Sequence, residues 1–273
     1  MCASPKGMEG LRDVPAHWLS PNGINKGRDV VCHESALSIS VSNGSDFVFS
    51  LGMTMRTPGM DKELVVGLLF SEGLINSVDQ IENFLIKEDN VSVIIPSISE
   101  KDVAVMQRRS SSTSSCGVCG KESISNLLHI HGPELSSNIR IESALINNSL
   151  SELRKNQILF NKTGGTHASG LFDTNGNLLL VTEDIGRHNA MDKLVGTFLL
   201  SSVDFSETFV LFSGRISFEL VHKARRAGIP VIVAIGAPSS LAIDIALEHG
   251  MTLIGFTKNN NMTVYSGRGR INH

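Results

Sequence analysis

From Thr208 to Phe256 the chain alternates strand-like and helix-like segments at short spacing, and few architectures accept that pattern. Thr208 to Phe212 reads as a strand, Ile216 to Ala227 as a helix closed by Gly228, and Val231 to Ile235 as a second strand. Ser239 to His249 is a second helix closed by Gly250, and Leu253 to Phe256 a third strand. A glycine just past the last helical residue accepts the left-handed conformation that ends a helix. Strands alternating with helices predict a parallel sheet, wound by right-handed crossovers and covered on both faces. Met262 to Tyr265 would add an edge strand.

Upstream the pattern changes. Residues 1–30 mix Gly, Pro, Asn and charge without periodicity and read as a loose leader. Two β-rich segments, Ala36 to Val41 and Phe47 to Thr54, flank Ser42-Asn43-Gly44-Ser45, a hairpin signal. Leu64, Val65, Leu68 and Leu69 recur at helical spacing until Gly73, and Val91 to Ile95 reads as a further strand. A small α+β domain over residues 31–135 follows. A Ser-, Asn- and Gly-rich linker around His131 to Ser137 leads into a second domain, residues 136–273. That domain opens with a helix from Ile141 to Leu159. A hairpin of Ala168 to Asp173 with Leu178 to Thr182 comes next, and then a helix from Asn189 to Leu200.

With 273 residues and 41% hydrophobic content the chain can bury a sizeable core. A net charge of −3 and a pI near 6.3 argue against a general nucleic-acid binder, so any phosphate site is local. No apolar run reaches the roughly 18 residues of a membrane span, and no signal-type segment opens the chain. The expectation is a cytoplasmic protein. Cysteines occur at 2, 32, 116 and 119, which is no secreted disulfide framework.

Cys116 and Cys119 lie in Ser115-Cys116-Gly117-Val118-Cys119-Gly120-Lys121, reached through a serine-rich run that follows Arg108 and Arg109. Cations and a nearby helix start favour a thiolate, the nucleophilic form. Three readings compete. Structural zinc needs four ligands, and only His129 and His131 follow, two residues apart. A thioredoxin-like dithiol needs a strand before it, where this chain has serines. A nucleophilic thiolate on a loop fits best, with Cys32 a small buried residue and Cys2 in the leader.

Four polar stretches, three of them glycine-bearing, fall at strand or helix ends of the second domain, where such sheets gather ligands. They are Thr163-Gly164-Gly165-Thr166-His167, Glu183-Asp184-Ile185-Gly186-Arg187-His188, Ser213-Gly214-Arg215 and Phe256-Thr257-Lys258-Asn259-Asn260-Asn261. Glycines admit a phosphate close to the backbone, helix starts favour anions and Arg or Lys adds charge. Each stretch alone is equally a turn; together they suggest a nucleotide or phosphate ligand. His167 and His188 are either structural hydrogen-bonding residues or ligand-facing ones. The expectation is one cleft bordered by Arg187, His188 and Lys258, with Thr163-Gly164-Gly165 at its floor.

The Ser115 to Lys121 turn and the first three of these stretches, with Arg56-Thr57-Pro58-Gly59, Phe70-Ser71-Glu72-Gly73, Ser217-Phe218-Glu219 and Ala227-Gly228-Ile229-Pro230, resemble the FdhD family of formate dehydrogenase accessory sulfurtransferases. The likeness spans about residues 35 to 267. It implies a sulfur carrier that accepts persulfide sulfur from a cysteine desulfurase. The carrier passes that sulfur to the molybdenum bis-guanine-dinucleotide cofactor of formate dehydrogenase, with GDP a mimic of the cofactor. By the same resemblance Cys116 carries the persulfide, Phe256 to Asn261 bind the cofactor, and the protein is a homodimer. The second domain would be a cytidine-deaminase-like three-layer α/β/α unit. The deaminase zinc pattern is not reproduced, since Ser169 stands where a catalytic Glu is needed after His167-Ala168 and no cysteine pair follows. A cofactor-protecting chaperone without sulfur transfer and a thiol/disulfide redox protein are the competing classes.

Overall fold

The computed structural model describes residues 10–104, 132–136, 138–201 and 204–273. Among the described residues are fourteen strands in four sheets and six α-helices. Strands β1 (Leu11–Ser20) and β2 (Gly23–Cys32) form an antiparallel ribbon. β3 (Ser35–Ser42), β4 (Val48–Arg56), β5 (Asn83–Lys87) and β6 (Asn90–Ile94) form a sheet ordered β4-β3-β6-β5, with helix α1 (Asp61–Glu72) between β4 and β5 in sequence. The expected hairpin at Ser42 to Ser45 and the stop at Gly73, which has φ +82°, are both present.

Residues 11–32 correct the reading of a loose leader. The ribbon is paired from Leu11↔Cys32 to Ser20↔Gly23. Its periodicity is invisible in the sequence because most of both faces meet solvent, so no apolar alternation is required.

The second half begins with the two-residue strand β7 (Ile141–Glu142), paired in parallel with β14 (Ile271–Asn272). The expected single helix from Ile141 is two helices, α2 (Ser143–Asn156) and α3 (Ile158–Thr163), broken at Gln157. Then come β8 (His167–Asp173), β9 (Leu178–Asp184), α4 (Arg187–Ser201), β10 (Thr208–Phe212), α5 (Phe218–Ala227), β11 (Val231–Ala234), α6 (Ser240–Glu248), β12 (Thr252–Lys258) and β13 (Asn261–Ser266).

The six-stranded sheet is ordered β13-β12-β11-β10-β8-β9. Only β10, β11 and β12 are parallel; β8, β9 and β13 run against their neighbours. The parallel run expected from Thr208 to Phe256 and the expected hairpin of β8 with β9 are both present, and hairpins reverse the chain at both sheet edges. Alternate residues supply two cores. Phe209, Leu211, Val231 and Val233 face Ile146 and Leu153 of α2, and Val210, Phe212, Ile232 and Ala234 face the side of α4, α5 and α6.

That second core does not stop at the helices. It runs on through Leu64, Val65 and Leu69 of α1 to Leu37, Ile39 and Val93 of the small sheet, so the two halves share one hydrophobic interior. Residues 132–136, expected as linker, also pack: Leu135 lies against this core and Pro133 O accepts from Arg225 Nη1 at 2.7 Å.

The crossing of α1 and α4 is bare at two positions. A Cβ on Gly67 would stand 1.9 Å from the Asp192 carbonyl oxygen, and one on Gly196 would stand 1.9 Å from that of Glu63. The helices touch backbone to backbone. Alanine ordinarily favours a helix over glycine by about 1 kcal/mol, but here it has no room. Gly67→Ala is expected to lower stability by about 1–3 kcal/mol net, the usual range for overpacking. A denaturation midpoint equal to or above wild type would show that the crossing has slack.

Candidate functional site at the carboxyl edge

The carboxyl ends of β9, β10, β11 and β12 and the start of β8 lie along one edge of the six-stranded sheet, as His167↔Asp184 and Ser169↔Phe212 pairing requires. Helices α4, α5 and α6 all begin there, each directing the positive end of its dipole at that edge. The floor is backbone. Gly236 N donates to Gly214 O at 3.1 Å, Phe256 N donates to Gly236 O at 3.1 Å, and a Cβ on Gly236 or Gly255 would meet neighbouring backbone or Pro238 within about 3 Å. Glycine is needed at both positions because neighbouring main chain and Pro238 fill the space of a side chain.

His167, Arg187 and His188 are brought together at the β8–β9 end. His167 packs over Gly214, where a Cβ would be 3.2 Å from its Nδ1. Burial, then the charges of Arg187 and His188, hold its imidazole below the ordinary histidine range, so it is neutral at pH 7. His188, next to the first residue of α4, places Nε2 2.8 Å from Glu219 Oε2 and 3.0 Å from Ser217 Oγ. The carboxylate contact fixes the proton on Nε2. The same hydrogen bond holds Glu219 below the usual carboxylate range, against its own burial. Arg187 Nε is buried and finds no hydrogen-bond partner among the described residues. Such an arrangement suits an anion: a cation with an unsatisfied donor at the start of a fifteen-residue helix.

The Phe256 segment sits elsewhere on the edge. β12 is three strands from β8, about 14 Å at the usual strand spacing. Lys258 is the last residue of that strand. Asn259 and Asn260, at φ +51° and +62°, are the two turn residues of the β12–β13 hairpin, where Lys258 pairs with Asn261. Asparagine tolerates that left-handed geometry, which explains the run of three without a ligand. Phe256 is half exposed at φ +53°, and Thr257 is buried with its Oγ1 unpartnered among the described residues.

In Thr163-Gly164-Gly165, Gly164 has open space where a Cβ would stand. Gly165 packs on Cys32, 3.1 Å from where its Cβ would be, and Glu183 ties the loop down. Its carboxylate accepts from Leu159 N, Phe160 N and Thr166 Oγ1, each at 2.8 Å. Cys32 is half-buried, its Sγ 3.1 Å from Thr57 Oγ1, and burial pushes its thiol up, so it is not poised as a thiolate. Cys116, Cys119, Cys2, His129 and His131 lie outside the described residues.

Behind the edge a buried ionic lattice holds it to the first half. Lys193 Nζ lies 2.8 Å from Asp184 Oδ2 and donates to Thr57 O at 2.8 Å; Asp184 in turn accepts from Thr57 N at 3.1 Å and Gly186 N at 2.9 Å. Thr57 Oγ1 accepts from Ile185 N at 3.0 Å. Thus Arg56-Thr57 and Glu183 to His188, distant in sequence, are one structure. Sequence reasoning named Glu183, Ser217 and Glu219 only as members of their stretches, with no role, and missed Lys193. All lie in the quoted stretches or one turn beyond them, but their partners are set only in three dimensions.

Comparison with known proteins decides the family. The profile described as the FdhD/NarQ family matches residues 32–272. The chain belongs to the FdhD/NarQ family. It is 40% identical over 257 residues to the sulfur carrier protein FdhD of Thermoplasma acidophilum, covering 93% of this chain and 91% of that one. It is 41% identical over 244 residues to the protein of the same name from Sulfurisphaera tokodaii, covering 89% and 92%. The crystal structure of a protein assigned as a formate dehydrogenase accessory protein, from Desulfotalea psychrophila, superposes with a TM-score of 0.75 at 25% identity over 96% of this chain and 99% of that one. The FdhD/NarQ match includes the carboxyl edge, the buried lattice and the Cys116 to Cys119 stretch in one continuous span. No helix among the described residues is long and apolar enough to cross a membrane.

Proposed function

We propose that this protein is a sulfur carrier serving formate dehydrogenase in the cytoplasm, taking persulfide sulfur from a cysteine desulfurase and delivering it to the molybdenum bis-guanine-dinucleotide cofactor. The observation that carries the reading is the end-to-end match with sulfur carrier proteins, together with an anion-suited carboxyl edge on the same chain. Cys116 thiolate attacks the outer sulfur of the donor persulfide; the donor S–S bond breaks, the donor leaves as a thiolate, and Cys116 becomes the persulfide. Attack by Cys119 thiolate on the inner sulfur then closes a Cys116–Cys119 disulfide and releases the outer sulfur as hydrosulfide to the metal of the substrate. A thiol reductant reopens the pair. The protein acts as a homodimer in this reading.

The cofactor's guanine nucleotide lies along the carboxyl edge. Its phosphates take the helix start of α4 with Arg187 and His188, against neutral His167, and the glycine floor carries the chain of the ligand toward Phe256 and Lys258. The roughly 14 Å between the two ends is a span to be bridged by an extended nucleotide, not a single pocket. Charge-assisted phosphate contacts contribute roughly 1.5–3 kcal/mol each. Arg187→Ala is therefore expected to weaken GDP binding about tenfold or more, and Cys116→Ala to leave it unchanged. Isothermal titration of GDP against the two variants is the measurement. Unchanged affinity in Arg187→Ala would take the phosphates away from α4.

A further inference from the structure

A groove of about 190 Å³ opens between β4 and α1. The β3–β4 ladder slips beside Ile39, and Gly52, at φ +101°, has open space where a Cβ would stand, so no side chain fills the mouth. Leu51, Met53 and Leu68 make the walls apolar, and Thr54 and Glu72 are the polar side chains of the lining. An apolar cleft with a few convergent polar groups is the usual form of a small-molecule site. A cavity of roughly 150 Å³ holds a benzene ring, so a flat heterocycle suits this one.

Glu72 stands where helix chemistry argues against it. It is the last residue of α1, next to the left-handed cap Gly73, and no basic residue shares its turn. The carbonyl end of a helix dipole disfavours an acid. Places where a sequence breaks such a local rule are commonly functional.

The groove also adjoins the start of α4. On one wall Thr54 Oγ1 donates to Asn189 Oδ1 at 3.4 Å, and Asn189 Nδ2 donates to Met55 O at 2.7 Å. On the other, Ser71 Oγ donates to Asp192 Oδ1 at 3.0 Å, in the first turns of α4. Asn189 follows His188, so a ligand whose phosphates lie at Arg187 and His188 has the groove beside it.

The chemistry of the lining selects a ring. A 2-amino-4-oxopyrimidine edge presents two N–H donors side by side, which a carboxylate accepts as a pair, and its face packs against thioether sulfur. A carboxylate has about four lone-pair sites, so the pair finds room whatever else Glu72 meets. Guanine and pterin share this edge. Guanosine brings a ribose whose hydroxyls need partners, and both polar side chains of the lining are then already engaged by the ring; a pterin brings none.

We infer that the β4–α1 groove binds a pterin ring, its amino-oxo edge on Glu72 and its face on Met53 and Leu68. The inference rests on the proposed function, whose cofactor carries a pterin across the diphosphate from its guanosine. The groove takes the pterin, and the nucleotide runs along the carboxyl edge toward Phe256.

The probes are 6-hydroxymethylpterin and its diphosphate, followed by pterin fluorescence, with GDP as the comparison. Wild type is expected to bind both pterins, the diphosphate more tightly. Glu72→Gln keeps the shape of the side chain and is expected to weaken both pterins at least about tenfold while leaving GDP unchanged. Because it removes an acid from a helix C-terminus, its denaturation midpoint is expected to equal or exceed that of wild type. Met53→Lys, at a position 76% exposed, puts an ammonium into the groove and is expected to abolish pterin binding in a folded protein. The unphosphorylated pterin reads the groove alone and Arg187→Ala with GDP reads the phosphate end, so failure of one is told apart from failure of the other. No pterin binding by wild type, pterin affinity unchanged in Glu72→Gln, an equal loss for GDP, or a lowered midpoint in that variant would overturn the inference.

Discussion

Cys116→Ala is expected to abolish sulfur loading altogether while leaving the denaturation midpoint unchanged. The thiolate is the only group in the proposed route that bonds to the transferred sulfur, so its loss has no partial substitute. Cys32 does not stand in for it: its thiol is half-buried, bonded to Thr57 and shifted toward the neutral form by burial. The measurement is mass spectrometry of the intact protein and its peptides after incubation with a cysteine desulfurase and cysteine, reading a gain of one sulfur. Sulfur found on Cys32 or Cys2 but not on Cys116 would defeat the assignment. Cys119→Ala separates the later steps, since it should load sulfur normally and fail to release it. A Cys116→Ala protein that still supports an active formate dehydrogenase would favour a cofactor-protecting chaperone.

Lys193→Met is expected to be the most destabilising single change away from the cysteines. Lys193 and Asp184 are 2% and 0% exposed, and the lysine alone would be replaced by a side chain of similar length. Removing one partner of a buried ion pair leaves the other charge uncompensated, at a cost of about 3–5 kcal/mol. That is a large share of the roughly 5–15 kcal/mol of a whole domain. The remaining Asp184 contacts, from Thr57 N, Gly186 N and Asn189 Nδ2, hold the carboxylate but supply no full charge. Denaturant unfolding should therefore lose midpoint, in one transition shared by both halves, because the lattice and the core join them. Loss below about 1 kcal/mol, or two separated transitions, would show that the halves are independent and that this pair does not fuse them.

Much of the second half was legible because its signals are local. Gly228 and Gly250 end helices where a left-handed residue is needed, and β10, β11 and β12 are short apolar runs between them. The hairpin at Ser42 to Ser45 and the helix stop at Gly73 are equally local, each decided by a few residues of turn chemistry. The ribbon of residues 11–32 was not, since strands wet on both faces carry no alternation. Nor was the insertion of the β8–β9 hairpin beside β10, which depends on pairing between segments rather than on their composition.

The candidate site divides in the same way. Sequence by itself determined which stretches carry chemistry: the Cys116 to Cys119 turn, the glycines at strand ends, and Arg187 and His188 beside a helix start. Residue type and neighbours suffice for that, because nucleophilicity, backbone freedom and charge are properties of single residues. Tertiary structure alone decided which of them meet. It put the strand of Lys258 three places from that of His167, made Asn259 and Asn260 a turn, gave His188 the carboxylate of Glu219, and pressed α1 onto α4 at Gly67 and Gly196. Those outcomes follow from strand order and from burial shared between distant segments, and neither is written in any window of sequence short enough to be read by periodicity.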